Sequence, residues 1–193
     1  LTPARPASLR AFPFPSINLF MKSPDKTMMH GTDYAGQDPT GWIVTEKFDG
    51  HFARWTGCQL LTREGANYNP PDWFVAGLPP WPIDCELFAG YGKRGSLNGA
   101  PRWRDKNRWA GLRLIAFDCP EAGGDWPARI RSAPVTSYAA PVAFTVCKGK
   151  RHLNGELRAV LDRGGEGIVL RHPSAPYTVG RVQTMLKVKF SVW

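Results

Sequence analysis

The stretch WIVTEKFDGHFARWTGCQLLTREG, residues 42–65, decides the class of fold. Residues 42–48 alternate in the two-residue period of a half-buried strand. Asp49-Gly50 follows, a dipeptide suited to a type I′ hairpin turn, and residues 52–55 then read as the returning strand. Thr56-Gly57 turns the chain once more, into a third strand over residues 59–63. Beyond a Pro-rich loop at 69–72 and a short aromatic segment, residues 82–88 form another strand. The nearly continuous apolar run LRLIAFD at 112–118 predicts a buried one. Asn154 is placed to cap a helix running to residue 163, with Gly164-Gly165 as its stop. Residues 166–171 and 185–190 are two late strands. Strands with a few helices inserted predict an α+β fold of antiparallel sheets flanked by helices. The Pro-rich residues 1–40 read as an extended lead-in packing on one domain that spans 41–193.

Composition agrees with that reading. With 20 Gly and 18 Pro in 193 residues, the chain has the turn chemistry of short strands rather than of a helix bundle. No run approaches the roughly 18 apolar residues of a membrane span. A formal net charge of +9 favours polyanionic partners, because cations on phosphates release condensed counterions. Arg102, Arg104, Lys106 and Arg108, interleaved with Trp103 and Trp109, fit a surface that tracks a nucleic-acid backbone, and equally a solvated charged loop. Cys58, Cys85, Cys119 and Cys147 stand singly and the four histidines have no ligand spacing, which argues against structural zinc and leaves a hard, oxygen-bound metal. The segment after Leu1 is broken by Pro6, Pro13 and Pro15 and makes no complete signal peptide. The expectation is a cytoplasmic monomer, with the periplasm as the alternative compartment.

Lys47 is the first chemical candidate. A lysine beside a turn is usually a solvated surface charge, and a free lysine amine, with a reference pKa of about 10.4, is no nucleophile while protonated. A nucleophilic Lys47 therefore needs burial and neighbouring cations. LKVK at 186–189 puts Lys187 and Lys189 on one strand face, either as a plain amphipathic edge or as two ammonium groups aimed at a phosphate. Glu86 lies within the apolar strand DCELF, and Glu166 sits between two glycines. Both are ordinary solvated carboxylates or ligands for a divalent cation and a ribose hydroxyl. Arg63 is a candidate phosphate fork.

Taken in order, these stretches resemble the covalent nucleotidyltransferases: DNA ligases, RNA ligases and mRNA capping enzymes. TEKFDG is similar to their KxDG motif, LLTREG to (S/T)RxG, DCELF to the DGELW type and LIAFD to the aromatic-bearing motif, with EGIVLR and LKVK as the last two. EKFDGHFARW, NPPDWF, DCELFAGYGK and GGEGIVLRHPSAPYTVGR look most like the minimal bacterial and viral ATP-dependent DNA ligases. The resemblance implies an ATP-grasp-like nucleotidyltransferase (adenylation) domain that acts on ATP with Mg²⁺ or Mn²⁺ and on nicked double-stranded DNA. It implies Lys47 as the residue that carries AMP. Thr45, Glu46, Asp49, Arg54, Arg63, Glu86, Phe117, Lys187 and Lys189 would contact the nucleotide, with Phe117 on adenine. Glu86 and Glu166 would hold metal, and Arg63, Arg102, Arg104, Lys106 and Arg181 would meet nucleic acid.

Three positions depart from the pattern. Phe52 stands where the family has an arginine two residues after the motif glycine, and Arg54, on the same strand face, is the expected substitute. Cys85 replaces a glycine. The sequence ends four residues after Lys189, before the OB domain with which DNA ligases normally close on the duplex, so self-adenylation is better supported than nick sealing. The rival expectations are an RNA ligase or GTP-using capping enzyme, and a nucleic-acid-binding module that has lost catalysis.

Overall fold

A computed structural model of the chain describes residues 27–189. The lead-in before residue 27, including the segment weighed as a signal peptide, and Phe190 of the last expected strand lie outside the described residues. The fold is α+β, built on two five-stranded sheets. The first contains, in spatial order, β1 (Met29–Asp33), β10 (Gly180–Lys189), β9 (Gly167–Arg171), β2 (Ile43–Lys47) and β8 (Phe144–Val146). The second contains β4 (Leu60–Leu61), β3 (His51–Trp55), β5 (Ile83–Phe88), β6 (Arg113–Asp118) and β7 (Ala139–Pro141). Pairing is antiparallel except for β1 with β10 and β6 with β7, which run parallel.

Strand alternation sorts the side chains into layers. On the outer face of the first sheet, Val44, Ile168, Leu170, Leu186 and Val188 pack against Leu153, Leu157 and Val160 of helix α3 (Lys150–Asp162). Those three helix positions recur at helical spacing and form one apolar stripe. On the outer face of the second sheet, Ala53, Trp55, Cys85, Leu87 and Leu114 join Phe74 of α1 (Asp72–Val75), Tyr68 and Trp109. Between the sheets, Ile43 and Val142 pack on Trp126 and Ile130 of α2 (Trp126–Ile130), with Ile115 and Phe117 alongside.

Two buried ion pairs fasten this arrangement. Arg54 donates to both oxygens of Asp84 at 2.6 and 2.9 Å. Tyr177 joins them, accepting from Arg54 at 2.9 Å and from the Met29 amide at 3.2 Å while donating to Asp84 at 2.7 Å, which ties β1 of one sheet to β3 and β5 of the other. Arg129 in α2 pairs with Asp118 at 2.7 and 3.1 Å and donates to the Ala175 carbonyl at 3.0 Å. Removing one member of such a pair strands a desolvated charge.

Several boundaries differ from the sequence reading. Asp49-Gly50 is not a hairpin: β2 and β3 belong to different sheets, and neither residue takes the positive φ that a type I′ turn requires. The chain instead crosses between sheets where Gly50 presses on β5, and a Cβ there would lie 2.2 Å from the Leu87 carbonyl oxygen. The third strand is only two residues long, which leaves Arg63 in the turn that follows. α3 begins at Lys150, because Leu153 belongs to its apolar stripe, so Asn154 is an exposed position within the helix and no cap. Within the expected lead-in, Met29–Asp33 is a strand of the first sheet. Cys85 is fully buried in the outer core of the second sheet, where its small thiol fits.

Two alanine substitutions test this packing. Gly50→Ala is expected to lower unfolding stability in urea by about 1–3 kcal/mol through overpacking. Gly155→Ala, at an exposed helical position of α3 with nothing within 4 Å of the added methyl, is expected to raise it by about 0.5–1 kcal/mol.

Candidate active site

The sheet crossover at residues 48–50 leaves Lys47 at the end of β2, on the face that looks toward the second sheet. In register it stands opposite Gly167 of β9, and on the far side of β9, Lys189 of β10 is also a register partner of Gly167. A side chain at that point is excluded, since Gly167 has φ +155° and its Cβ would lie 2.3 Å from the Val188 carbonyl oxygen. Glu166, one residue earlier, therefore reaches the space between the two lysines. Its Oε2 accepts from Lys47, and its Oε1 from Lys189 at 2.8 Å. Burial alone would raise the Glu166 carboxyl; the hydrogen bonds from Lys189 and Lys47 more than offset this and hold it below its ordinary value.

Glu86 approaches from the second sheet. It lies opposite Phe52 of β3, and its Oε1 accepts from the Gly50 amide at 2.9 Å. Burial pushes its pKa up to about 7, against the opposing charge of Lys47 and the Gly50 hydrogen bond. The site thus holds one carboxylate kept ionised by cations and another near its titration point at neutral pH.

Two cavities meet at Lys47, Phe52, Arg63 and Glu86. One, of about 340 Å³, lies between the sheets and is lined by Thr45, Ile115, Phe117, Val169, Arg171 and Lys187, among others. Its apolar walls with a few polar groups suit a flat organic ring system. The other, about 820 Å³, runs outward past Asp49, His51, Glu64, Arg94 and Arg102 to Lys189 and Glu166. Asp49 lies 3.5 Å from Arg94 in its wall.

The structure brings most of the expected residues together. Thr45 is buried at the inner cavity, where its hydroxyl accepts from Arg171 at 2.9 Å. Lys187 lines the same cavity and pairs with Asp33 at 3.2 Å, rather than joining Lys189 on Glu166. The Arg63 guanidinium lies 5.4 Å from the Phe52 ring centroid. Arg181, expected to meet nucleic acid, lines the inner cavity and not the outer one that Arg102 lines.

Other residues fall elsewhere. Arg54 lines neither cavity; it is locked to Asp84 and does not stand in for the missing arginine at Phe52. Glu46 lines the inner cavity, but its carboxylate turns to the α3 side of β2, where it meets Arg163. Trp109 is fully buried and Trp103 packs on the same core under Arg108, so the interleaved tryptophans are no stacking platform. Arg102, Arg104 and Lys106 remain exposed, Arg102 on the outer cavity.

Arg171 is the residue that sequence reasoning missed. It is 5% exposed, hydrogen-bonded to the Thr45 hydroxyl, with its Nε buried and without a partner. Its guanidinium lies 5.9 Å from the Phe117 ring centroid. Burial pulls its pKa down to about 10, leaving it charged at neutral pH. An arginine closing a strand of otherwise apolar residues was the available signal.

The Glu86 environment has a measurable consequence. Its raised pKa means that the folded state binds a proton that the unfolded state releases between about 4.5 and about 7. Wild-type stability should therefore fall, relative to Glu86→Gln, as pH rises through that window. In carbonyl-carbon NMR the Glu86 carboxyl should titrate near 7, and higher still in Lys47→Met.

Relatives place this geometry. No family model matches the chain. Over 171 residues it is 34% identical to a DNA ligase of Haemophilus influenzae, an alignment covering 86% of this chain and 63% of that protein. The chain thus spans just under two thirds of that relative's length. It is similar to a solved structure from a structure–function study of Lig E DNA ligases, with 31% identity, a TM-score of 0.76, and 84% of this chain and 68% of the other covered. It also shares the fold of the Chlorella virus DNA ligase-adenylate, at 16% identity and a TM-score of 0.67, over 85% of this chain and 68% of that one. A lysine held against a carboxylate beside an apolar inter-sheet cavity, on this fold and with these relatives, makes the chain a member of the DNA ligase family.

Proposed function

We propose that the chain forms a covalent lysyl-AMP from ATP, passes the AMP to the 5′-phosphate at a DNA nick, and seals the nick with the 3′-hydroxyl. The observation that carries this reading is the convergence of Lys47, Glu166, Lys189 and Glu86 at the junction of the two cavities. The inner cavity takes the adenosine, with Phe117 against the base and the Arg171 side chain in its wall. The phosphates then lie toward Lys47, Lys189 and Arg63.

In the first step Lys47 Nζ forms a bond to the α-phosphorus and the bond to pyrophosphate breaks. Glu166 Oε2, already accepting a hydrogen bond from Lys47, is placed to hold the proton that the amine must lose. Lys189 and Lys187 neutralise charge that develops on the phosphate oxygens, the usual protein contribution to such transfers. In the second step the phosphorus–nitrogen bond breaks as the 5′-phosphate of the nick takes the AMP. In the third the 3′-hydroxyl attacks that phosphate and AMP leaves. Arg102 on the outer cavity, with the exposed Arg104 and Lys106 close by in sequence, suits the nucleic-acid backbone.

A divalent cation, Mg²⁺ or Mn²⁺, fits the donors present. Glu86 and Glu166 are hard oxygen ligands, and no cluster of three or more His, Cys, Asp or Glu exists among the described residues, so phosphate oxygens and water would complete the shell. Such a metal supplies Lewis-acid stabilisation of the phosphates.

Incubation with ATP or GTP followed by denaturing mass measurement tests the reading. ATP should leave one adenylyl group on the wild type and none on Lys47→Ala. A guanylyl adduct would point to capping chemistry, and no adduct from either nucleotide to a binding module. Arg171→Met should raise the ATP concentration needed for half-maximal adduct formation roughly tenfold, the cost of a lost charge-assisted hydrogen bond.

A further inference from the structure

The residues immediately around the nucleophile are held by a cluster that touches neither cavity through its cation. Glu46 Oε2 accepts from Arg163 Nη2 at 2.6 Å and Nε at 3.2 Å, and lies 3.3 Å from the Tyr91 hydroxyl. Arg163 Nε also donates to that hydroxyl at 3.1 Å, and Arg163 Nη1 to the Ala159 carbonyl of α3 at 2.9 Å. The Glu46 side chain is 9% exposed, and its Oε1 is buried without a hydrogen-bond partner. That oxygen lies against Gly165, where a Cβ would come within 2.9 Å of it. A carboxylate left half-satisfied is costly, and it persists where the surroundings fix it in place.

The cluster reaches Lys47 from both sides. Glu46 precedes the nucleophile. Phe48 follows it and packs edge-on against Phe88 at 5.0 Å, which in turn packs on Tyr91 at 5.4 Å. Arg163 also roots the turn that carries Glu166 three residues later. One guanidinium therefore joins the strand bearing the nucleophile to the turn bearing the carboxylate that holds it. We infer that the Glu46–Arg163–Tyr91 cluster is a clamp that sets Lys47 against Glu166, which makes these three positioning residues for the adenylyl transfer proposed above. Glu46 lines the inner cavity, but Arg163 and Tyr91 line neither, so loss of the Arg163 guanidinium acts on the rate of the covalent step and not on nucleotide affinity.

Single-turnover adduct formation across a range of ATP concentrations tests this, in wild type, Arg163→Ala, Arg163→Lys and the double variant Glu46→Gln/Arg163→Ala. The limiting rate should fall roughly 10- to 100-fold in Arg163→Ala, as for displacement of a reacting group. The half-saturating ATP concentration should change less than about twofold. Arg163→Lys, which keeps a cation within reach, should recover most of the rate, and the double variant should be no slower than Arg163→Ala alone. An unchanged rate in Arg163→Ala, or a loss confined to half-saturation, overturns the clamp. A wild type that forms no adduct sinks the adenylation reading by itself. The clamp is then judged by the Lys47 ε-methylene carbon resonance, assigned through its disappearance in Lys47→Arg. It should shift in Arg163→Ala and return in Arg163→Lys, and a resonance unmoved by the first substitution refutes the inference.

Discussion

One carboxylate between two ammonium groups is the interaction on which the site depends. Lys47 and Lys189 both stand in register with Gly167, one on each side of β9, and two cations facing one space repel. Glu166 resolves that conflict by giving one oxygen to each. It can do so because Gly167 has no side chain to fill the space and because β9 lies between β2 and β10. The register of the first sheet is thus also the geometry of the site, since a one-residue slip of β2 or of β10 would turn its lysine to the α3 face.

The second sheet is equally necessary. It contributes Glu86, Phe52 and Phe117, and the inner cavity exists only while the two sheets keep their spacing. The buried Arg54–Asp84–Tyr177 network and the Arg129–Asp118 pair maintain it by linking elements distant in sequence. A buried ion pair is weak evidence for net stability, but its partners are strongly interdependent, so such pairs specify how elements meet. Phe52 belongs in the same account: its neighbours are Arg63 and Phe117, and the arginine expected to replace it is engaged elsewhere.

Local pattern carried much of this. The α+β class, most strands, the stop of α3 at Gly164 and the grouping of Lys47, Glu86, Glu166 and Lys189 were all readable from alternation and motif order. The errors came where tertiary contact overrides local preference. Asp49-Gly50 looks like a hairpin to any short-range rule, and only the close approach to Leu87 makes it a crossover. Arg54 shares a strand face with Phe52, yet the partner that removes it from the site, Asp84, is 30 residues away. Trp103 and Trp109 suggest a stacking surface beside basic residues, but the core beneath the second sheet claims them. Arg171 escaped notice because its importance lies in a missing partner, which no sequence displays.

The most direct test of the account is to locate the adenylyl group by fragmenting the peptides of ATP-treated protein. An acid-labile phosphoramidate on Lys47 alone is the predicted result. AMP on Lys187 or Lys189, or on no lysine at all, would contradict it.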